Sequence, residues 1–248
     1  MARVFGLLGK KLSHSFSQSY FTEKFRIEGI DDCRYNLYEL DQIEGLNGVL
    51  RKENNLRGLN VTIPYKQEII PFLDEIDEKA EKIGAVNVVK IGNDRQFIGY
   101  NSDYYGFRSS LEEWIGESEM KQMKALVLGA GGASRAVCTV LQDLGIDCIN
   151  VSRSNKAGTL LYSDLTSDLI ASHRLIINTT PLGMHPNIDG KPDIPYESLT
   201  KEHFLHDLVY NPELTKFMQL GMEKGVHVKN GLEMLHKQAE KSWEIWNS

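Results

Sequence analysis

A glycine-rich turn between an apolar strand and a helical pattern constrains the fold of this chain most. The stretch KALVLGAGGASRAVCTVLQDLGIDCINVSRS, residues 124–154, predicts a strand, a turn, a helix and a second strand. This unit opens a parallel sheet of the dinucleotide-binding kind. The residues of the turn predicted to bind a nucleotide are Gly129, Gly131, Gly132 and Ala133. Glycines let the backbone approach a pyrophosphate, which the helix N-terminus stabilises. A glycine turn without a ligand is the alternative.

The end of the second strand indicates which nucleotide the turn would bind. An acidic side chain there binds the 2′-hydroxyl of NAD, whereas basic residues accommodate the 2′-phosphate of NADP. Ser152, Arg153 and Ser154 follow the strand, with Lys156 close behind and without a carboxylate in the turn. A guanidinium, two hydroxyls and an ammonium favour NADP. An ordinary basic turn is the alternative.

Strand and helix patterns alternate along the rest of the chain and predict an α/β fold with mostly parallel strands. Further strands are predicted at RVFGLLG, CRYNLYEL, LRGLNVT, RLIINTT, HFLHDLVY and GVHVKN. Helices are predicted near 17–26, 41–50, 74–83, 215–224 and 232–246. Pro64 predicts the start of a short helix that Pro71 interrupts, and AVNVVKI and RQFIGY predict a hairpin around Gly92–Asp94.

Composition excludes several classes of protein. The 248 residues are 41% hydrophobic and 25% charged, and the apolar stretches are too short to span a bilayer. A net charge of -6 argues against a nucleic-acid coat protein. The three cysteines and seven histidines lack the spacing of a metal site. We therefore expect a cytoplasmic protein with no metal, no membrane association and no nucleic-acid partner.

Lys66 is a candidate for acid-base chemistry. In NVTIPYK a strand is predicted to end and the amine to fall in the first turn of a helix. The partial positive charge of a helix N-terminus disfavours an ammonium, so the neutral amine is easier to reach. Asp103 in GYNSDYYG could act with Lys66 to pass a proton to or from a substrate oxygen. A solvated surface lysine and a helix N-cap are the alternative roles.

Polar side chains recur at the predicted strand ends, where ligands gather in open α/β sheets. They are Ser13, Ser15 and Ser17 around His14, then Asn60, Thr62 and Asn87. Hydroxyls and amides in such number suit a small polyhydroxylated ligand. Each one alone is also typical of a turn or a cap.

The chain resembles shikimate dehydrogenase in a series of motifs that occur in the same order over nearly its whole length. They are HSFS, NVTIPYK, GAVN, GYNSDYYG, GAGGASRA, SRS, NTTPLGM, DLVYNP and GLEMLHKQA. NVTIPYK and the Asn-Ser-Asp segment are the most specific, because many dehydrogenases share the glycine turn.

The resemblance implies two α/β domains flanking a cleft, the second with a Rossmann-like doubly wound parallel sheet. Residues 1–103 plus 233–248 would bind shikimate, and residues 104–232 would bind NADP. The implied reaction is the reversible reduction of 3-dehydroshikimate to shikimate, in the biosynthesis of chorismate and the aromatic amino acids. Lys66 and Asp103 would handle the proton, in a monomer or a homodimer.

The resemblance also implies roles for single residues. Ser15 and Ser17 would bind the substrate carboxylate, with Asn60, Thr62, Asn87, Tyr210 and Gln238 also at the substrate, and Thr179 and Gly231 at the cofactor. The chain departs from the family pattern at Gln18, Ser102 and Glu233. Glu233 stands where glycine is frequent, near the expected nicotinamide. Two functions compete with this one. The chain could be a dehydrogenase of the same build that also uses quinate or NAD, or a non-catalytic nucleotide-sensing protein.

Overall fold

The structure is a computed structural model that describes residues 2–12, 15–154 and 157–248. The chain divides into two compact units. Unit one contains the residues up to Ser102 together with Gln238–Ser248, and unit two is Asp103–Lys237. The division into a substrate domain and a nucleotide domain, with boundaries at 103/104 and 232/233, stays a prediction.

Unit one is built on a six-stranded mixed sheet. Its strands are β1 (Arg3–Gly9), β2 (Cys33–Glu39), β3 (Leu56–Val61), β4 (Glu75–Ile76), β5 (Val88–Ile91) and β6 (Phe97–Tyr100). They lie in the order β2-β1-β3-β5-β6-β4. The pairs β1-β2, β1-β3 and β4-β6 are parallel, whereas β5 is antiparallel to β3 and to β6. The predicted hairpin of β5 and β6 is therefore confirmed, although the positive φ of its turn falls on Arg95.

The helices of unit one flank this sheet. They are α1 (Phe16–Ile27), α2 (Leu46–Lys52), α3 (Glu78–Ile83) and the part of α9 (Leu232–Asn247) from Gln238 onward. The predicted end of α3 at Gly84 is confirmed by its left-handed φ of 67°. A glycine adopts this conformation without the steric cost of a Cβ.

Aromatic rings fasten the end of α9 to the sheet of unit one. The ring of Trp246 stacks on Phe5 with centroids 4.9 Å apart, and its Nε1 donates to the carbonyl of Val89 at 3.1 Å. A Cβ on Gly58 of β3 would lie 2.2 Å from that Nε1. Glycine at this position therefore makes room for the ring, and the ring fixes the last turns of α9.

The predicted helix at Pro64 is wrong. Residues 63–69 form a series of turns, closed by hydrogen bonds from the Tyr65 N–H to the Thr62 carbonyl and from the Ile69 N–H to the Tyr65 carbonyl. Tyr65 is buried and its hydroxyl donates to the carbonyl of Leu40. Burial of this ring fixes the segment as turns, and Pro71 lacks the backbone N–H that a helix continuing past it would need.

Unit two is built on a six-stranded parallel sheet, which confirms the predicted Rossmann-like fold. Its strands are β7 (Lys124–Leu128), β8 (Asp147–Ser152), β9 (Thr159–Leu161), β10 (Leu175–Asn178), β11 (Phe204–Asp207) and β12 (His227–Lys229). They lie in the order β12-β11-β10-β7-β8-β9, and every pair is parallel. The strand order reverses between β7 and β10, and ligands of such sheets bind at the carboxyl ends of the strands beside that point.

The helices of unit two connect these strands. They are α4 (Ser102–Trp114), α5 (Glu117–Met120), α6 (Gly132–Asp143), α7 (Ser167–Ser172), α8 (Lys216–Met222) and the first turns of α9. Helix α6 joins β7 to β8, as the glycine-turn pattern predicts. Within the described ranges, we find no helix with the length and apolar character that crossing a bilayer requires.

Candidate active site

Asn60 is the first of the predicted substrate residues whose side chain is fixed by its neighbours. It lies on β3 next to the last residue of that strand. Its Oδ1 accepts a hydrogen bond from the Tyr35 hydroxyl at 2.8 Å, and its Nδ2 donates to Ser242 Oγ at 2.9 Å. Both ends of the amide are engaged, so Asn60 is held in one orientation.

Ser242 of α9 connects Asn60 to Ser102, the last residue of the first segment of unit one. It is fully buried, donates to the carbonyl of Gln238 at 2.8 Å, and lies 3.3 Å from Ser102 Oγ. The Ser102 N–H in turn donates to Asn87 Oδ1 at 2.7 Å. We call Tyr35, Asn60, Asn87, Ser102 and Ser242 the Asn60 network. It brings together the elements that carry three predicted substrate residues, Asn60, Asn87 and Gln238.

Sequence reasoning missed Tyr35 and Ser242. Ser242 follows Gln238 by four residues on α9, and residues four apart share a helix face. That spacing was a usable signal for Ser242. No sequence signal indicated Tyr35, because its partner Asn60 is 25 residues away in the chain.

The serines predicted to bind the substrate carboxylate lie at the start of α1. Ser15 is its N-cap and accepts from the Gln18 N–H at 3.3 Å. Burial raises the pKa of the Tyr35 phenol, and a hydrogen bond with the Ser17 side chain opposes that rise. Ser17 therefore lies close to Tyr35 of the Asn60 network. The predictions for Ser13 and His14 fall outside the described residues.

Lys66 and Thr62 lie in the turns that follow β3. The Thr62 N–H donates to the Leu8 carbonyl at 2.9 Å, and the Lys66 carbonyl accepts from the Val86 N–H at 2.7 Å. These bonds hold the half-buried Lys66 beside the segment that contains Asn87. Residues 63–69 form turns rather than a helix. The helix N-terminus that was expected to favour a neutral Lys66 amine is therefore not formed by this segment.

Asp103 is buried at the start of α4. The helix begins at Ser102, so Asp103 occupies its first turn rather than the N-cap position considered from the sequence. A carboxylate in the first turn is stabilised by the partial positive charge of the helix end. Lys66 belongs to unit one and Asp103 to unit two. Their action as a proton-handling pair stays a prediction.

The glycine turn of unit two is shaped by steric contacts. Gly129 has a φ of 127°, and a Cβ there would lie 2.4 Å from Thr179 Oγ1. Gly131 is the N-cap of α6, and Gly132 and Ala133 begin the helix. A Cβ on Gly131 would extend into space clear of the described atoms. The turn therefore places backbone N–H groups and a helix N-terminus beside open space, which suits an anionic ligand.

The side chains of Ser134 and Asn150 hold the glycine turn by hydrogen bonds to its backbone. Ser134 Oγ donates to the Gly129 carbonyl at 2.9 Å. Asn150 Nδ2 donates to the same carbonyl at 3.2 Å and to Ser134 Oγ at 2.6 Å. The sequence analysis missed Asn150. The alternation of side chains along β8, which points Asn150 and Ser152 to one face, was the available signal.

The predicted phosphate clamp lies at the end of β8. Ser152 Oγ accepts from the Ser154 N–H at 3.3 Å and so shapes the turn. Arg153 is exposed. Burial raises the pKa of the Tyr162 phenol, and the nearby Arg153 charge acts in the opposite direction. Lys156 falls outside the described residues. Among the described residues of this turn, Arg153 is the cation that could bind a 2′-phosphate.

Packing explains two of the residues that the resemblance assigns to the cofactor. Thr179 Oγ1 donates to the Leu128 carbonyl at 2.7 Å, which ties β10 to β7. A Cβ on Gly231 would lie 2.1 Å from the Leu208 carbonyl oxygen. Close backbone approach therefore requires glycine at 231 whether or not a nicotinamide binds there. Tyr210 is half-buried, and burial raises its pKa.

The carboxylate of Glu233, where the family frequently has glycine, is held by two lysines. Its Oε2 lies 2.5 Å from Lys229 Nζ and its Oε1 lies 3.6 Å from Lys237 Nζ. Lys237 also pairs with Glu113 of α4 at 2.6 Å and holds the pKa of that carboxyl below its usual range. Glu233 is therefore part of an ion-pair network within unit two.

The described residues contain no group of three or more histidine, cysteine or acidic side chains that could hold a metal ion.

Comparison with known proteins gives matches over nearly the full length of the chain. The family model for the shikimate dehydrogenase substrate binding domain matches residues 7–89. The shikimate dehydrogenase (NADP(+)) of Methanococcus aeolicus is 40% identical, over 98% of this chain and 91% of that protein. The crystal structure of shikimate 5-dehydrogenase from Thermus thermophilus in complex with NADP(H) and shikimate matches with a TM-score of 0.85. It is 29% identical, over 98% of this chain and 93% of that one.

A related enzyme with another substrate also matches. The structure of quinate dehydrogenase from Corynebacterium glutamicum in complex with NAD has a TM-score of 0.86 and 26% identity, over 99% of this chain and 93% of that one.

Proposed function

Because the chain belongs to the shikimate dehydrogenase family, we propose that it catalyses the reversible, NADP-dependent reduction of 3-dehydroshikimate to shikimate. The observation that carries the proposal is the Asn60 network. It joins hydroxyl and amide side chains from five separate parts of unit one, among them Asn60 and Asn87, which the resemblance assigns to the substrate. Such pre-organised polar groups suit a small ligand with several hydroxyls.

In unit one, the proposed substrate contacts are Ser15, Ser17, Asn60, Thr62, Asn87 and Gln238. The half-buried exposure of Ser15, Ser17, Asn60, Thr62 and Gln238 supports this role, because a ligand can reach them. Tyr210 of unit two is proposed to lie beside the same substrate. Lys66 and Asp103 are proposed to exchange the proton with the substrate oxygen as it changes between carbonyl and hydroxyl.

In unit two, the described residues fit a dinucleotide. The positive φ of Gly129 and the open space beside Gly131 leave the N-terminus of α6 accessible to a pyrophosphate. Arg153, Ser152 and Ser154 would hold the 2′-phosphate of NADP. NADP, when bound, supplies or accepts the hydride. In this proposal the glycine turn and the turn after β8 bind and orient the cofactor, the polar residues of unit one orient the substrate, and Lys66 and Asp103 move the proton.

Quinate with NAD is the second candidate, favoured by the likeness to quinate dehydrogenase from Corynebacterium glutamicum. The exposed Arg153 and the sequence SRS after β8 favour NADP over NAD in this chain. Shikimate is favoured over quinate by the relative in Methanococcus, which is 40% identical.

The experiment is an initial-rate assay of the purified protein with shikimate or quinate, each with NADP⁺ or NAD⁺. Formation of the reduced nicotinamide is followed by its absorbance. We expect the highest kcat/KM for shikimate with NADP⁺. A higher value for quinate or NAD⁺ would support the second candidate, and no turnover with any pair would contradict both.

A further inference from the structure

Two carbonyl oxygens at the start of the glycine turn are bound by donors inside unit two. The Leu128 carbonyl accepts from the Thr179 N–H at 2.9 Å and from Thr179 Oγ1 at 2.7 Å. The Gly129 carbonyl accepts from Ser134 Oγ at 2.9 Å and from Asn150 Nδ2 at 3.2 Å. These bonds turn the oxygens of the segment toward the protein.

The orientation of the peptide after Gly129 decides which backbone group a ligand meets. The peptide between Gly129 and Ala130 is trans, so its N–H points opposite to its carbonyl. While the carbonyl bonds to Ser134 and Asn150, the Ala130 N–H is directed away from these two side chains. A rotated peptide would instead turn an oxygen outward, and an oxygen repels an anionic pyrophosphate that an N–H attracts.

Asn150 is an uncommon kind of residue for the inside of a parallel strand such as β8, because asparagine is depleted in strands. Its amide is held in one orientation. Oδ1 accepts from the Cys138 thiol at 3.1 Å, and Nδ2 donates to Ser134 Oγ at 2.6 Å as well as to Gly129. The reverse orientation would place Oδ1 against the Gly129 carbonyl oxygen. The N–H groups of the amide are therefore what this position supplies.

We propose that Asn150 is a positioning residue for the dinucleotide, whose amide keeps the Gly129 carbonyl inside unit two so that the turn presents N–H groups to the pyrophosphate. The proposal rests on the proposed function, since it takes the turn as the NADP site. The pyrophosphate is common to NADP and NAD. Asn150 therefore acts on the binding of both nucleotides, whereas Arg153 acts on the 2′-phosphate of NADP alone.

The test is calorimetric titration of NADP⁺, NAD⁺ and shikimate into wild type and Asn150→Asp. A carboxylate keeps the shape of the amide but has no N–H to donate. We expect the Kd of both nucleotides to rise by roughly 10–100-fold, because the Gly129 carbonyl loses a donor and faces a negative charge. The Kd of shikimate should stay the same. Asn150→Ala, which removes the donor without adding a charge, should raise both nucleotide Kd values by about three- to tenfold.

Two variants control for charge and for stability. Gln142→Glu makes the same change from amide to carboxylate on the exposed surface of α6. Tyr196→Phe removes a hydroxyl of unit two that donates to the Pro192 carbonyl at 2.8 Å. Both variants should bind the two nucleotides as the wild type does.

Unchanged nucleotide Kd values in the two Asn150 variants overturn the proposal. Weakening of NADP⁺ alone overturns it as well, and so does an equal weakening of shikimate, which indicates a general disturbance of the fold. Failure of the wild type to bind either nucleotide contradicts the proposed function instead. The carbonyl ¹³C chemical shift of Gly129 then tests the hold itself, because it should change in Asn150→Asp without any nucleotide, and an unchanged shift overturns the proposal.

Discussion

The candidate site of unit one is made mainly of side chains, whereas that of unit two is made mainly of backbone. In unit one, side chains from distant parts of the chain bond to one another, as Asn60 does with Tyr35 and Ser242. In unit two, the glycine turn is formed by backbone, and its side chains Ser134 and Asn150 lie beneath it and hold a carbonyl. The difference suits the proposed ligands. A pyrophosphate needs N–H groups and a helix end, whereas a hydroxylated ring needs directional side chains.

Unit two also contains a side-chain network, but that network is buried and separate from the glycine turn. Asp207 accepts hydrogen bonds from Asn178 Nδ2 at 2.9 Å, from the Val209 N–H at 3.0 Å and from Thr215 Oγ1 at 2.6 Å. Asn178, Asp207 and Thr215 are all fully buried. We infer that this network serves stability, whereas the Asn60 network serves binding. The predictions below test that distinction, beginning with the largest effect.

Replacing Lys66 with alanine tests the proposed proton-handling residue of unit one. We expect kcat to fall by roughly 10²–10⁴-fold, as for other lost acid-base groups, with a smaller change in substrate affinity. Steady-state kinetics with shikimate and NADP⁺ provide the measurement. Lys52→Ala, which removes an exposed lysine of the same unit, is the matched control. Equal kcat in Lys66→Ala and wild type would remove Lys66 from the mechanism.

Replacing Asp207 with asparagine tests the buried network. Burial raises the pKa of Asp207 from 3.8 to about 6. The folded state therefore holds this proton more tightly than the unfolded chain does. The free energy of unfolding should fall as pH rises from about 4 to about 6, by about 3 kcal/mol from this group.

Urea unfolding of wild type and Asp207→Asn across this pH range measures that contribution, because the difference between the two proteins cancels the other titrating groups. We expect the difference in unfolding free energy to change across the window and to be constant above it. An equal pH dependence in both proteins would show that Asp207 does not titrate in this way.

Arg153→Ala tests the clamp of unit two. Loss of a charged hydrogen-bond donor to the 2′-phosphate should weaken NADP⁺ binding by roughly 10–100-fold. NAD⁺ lacks that phosphate, so its affinity should change little. Titration of both nucleotides measures the effect, and Lys201→Ala removes an exposed charge of the same unit as a control. An equal effect on both nucleotides would rule out the phosphate-clamp role.

Ser242→Ala tests whether the Asn60 network orients the substrate residues. The variant leaves Asn60 Nδ2 without its 2.9 Å acceptor. We expect a loss of about 1–2 kcal/mol of stability and a higher KM for shikimate with little change in the KM for NADP⁺. Thermal unfolding and kinetics check both, with the exposed helical Ser167→Ala as control. A stability loss with both KM values unchanged would reduce the network to a structural role.

The features set by local backbone chemistry could be predicted from the sequence. The glycine turn, the Gly84 helix end and the β5-β6 hairpin each depend on residues close together in the chain. The helix predicted at Pro64 was wrong because burial of Tyr65, a tertiary contact, fixes that segment as turns. The short strands β4 and β9 were missed because two or three residues carry little periodic signal.

The candidate site was predictable in a different way. Asn60, Asn87 and Lys66 could be proposed from strand ends and from family motifs. Tyr35, Ser242 and Asn150, which hold such residues in place, could not be found in that way. The spacing from Gln238 pointed to the helix face of Ser242, and the alternation along β8 pointed to the face of Asn150. The bonds that all three residues make join positions distant in sequence, so only the folded chain shows them.

The most direct test of the two-site account is calorimetric titration of shikimate and of NADP⁺ into wild type, Thr62→Val and Arg153→Ala. Thr62→Val removes one hydroxyl of unit one at nearly constant volume. We expect a crossed result, in which Thr62→Val weakens the binding of shikimate alone and Arg153→Ala weakens the binding of NADP⁺ alone. Weakening of the same ligand by both variants, or of neither ligand by either one, would contradict it.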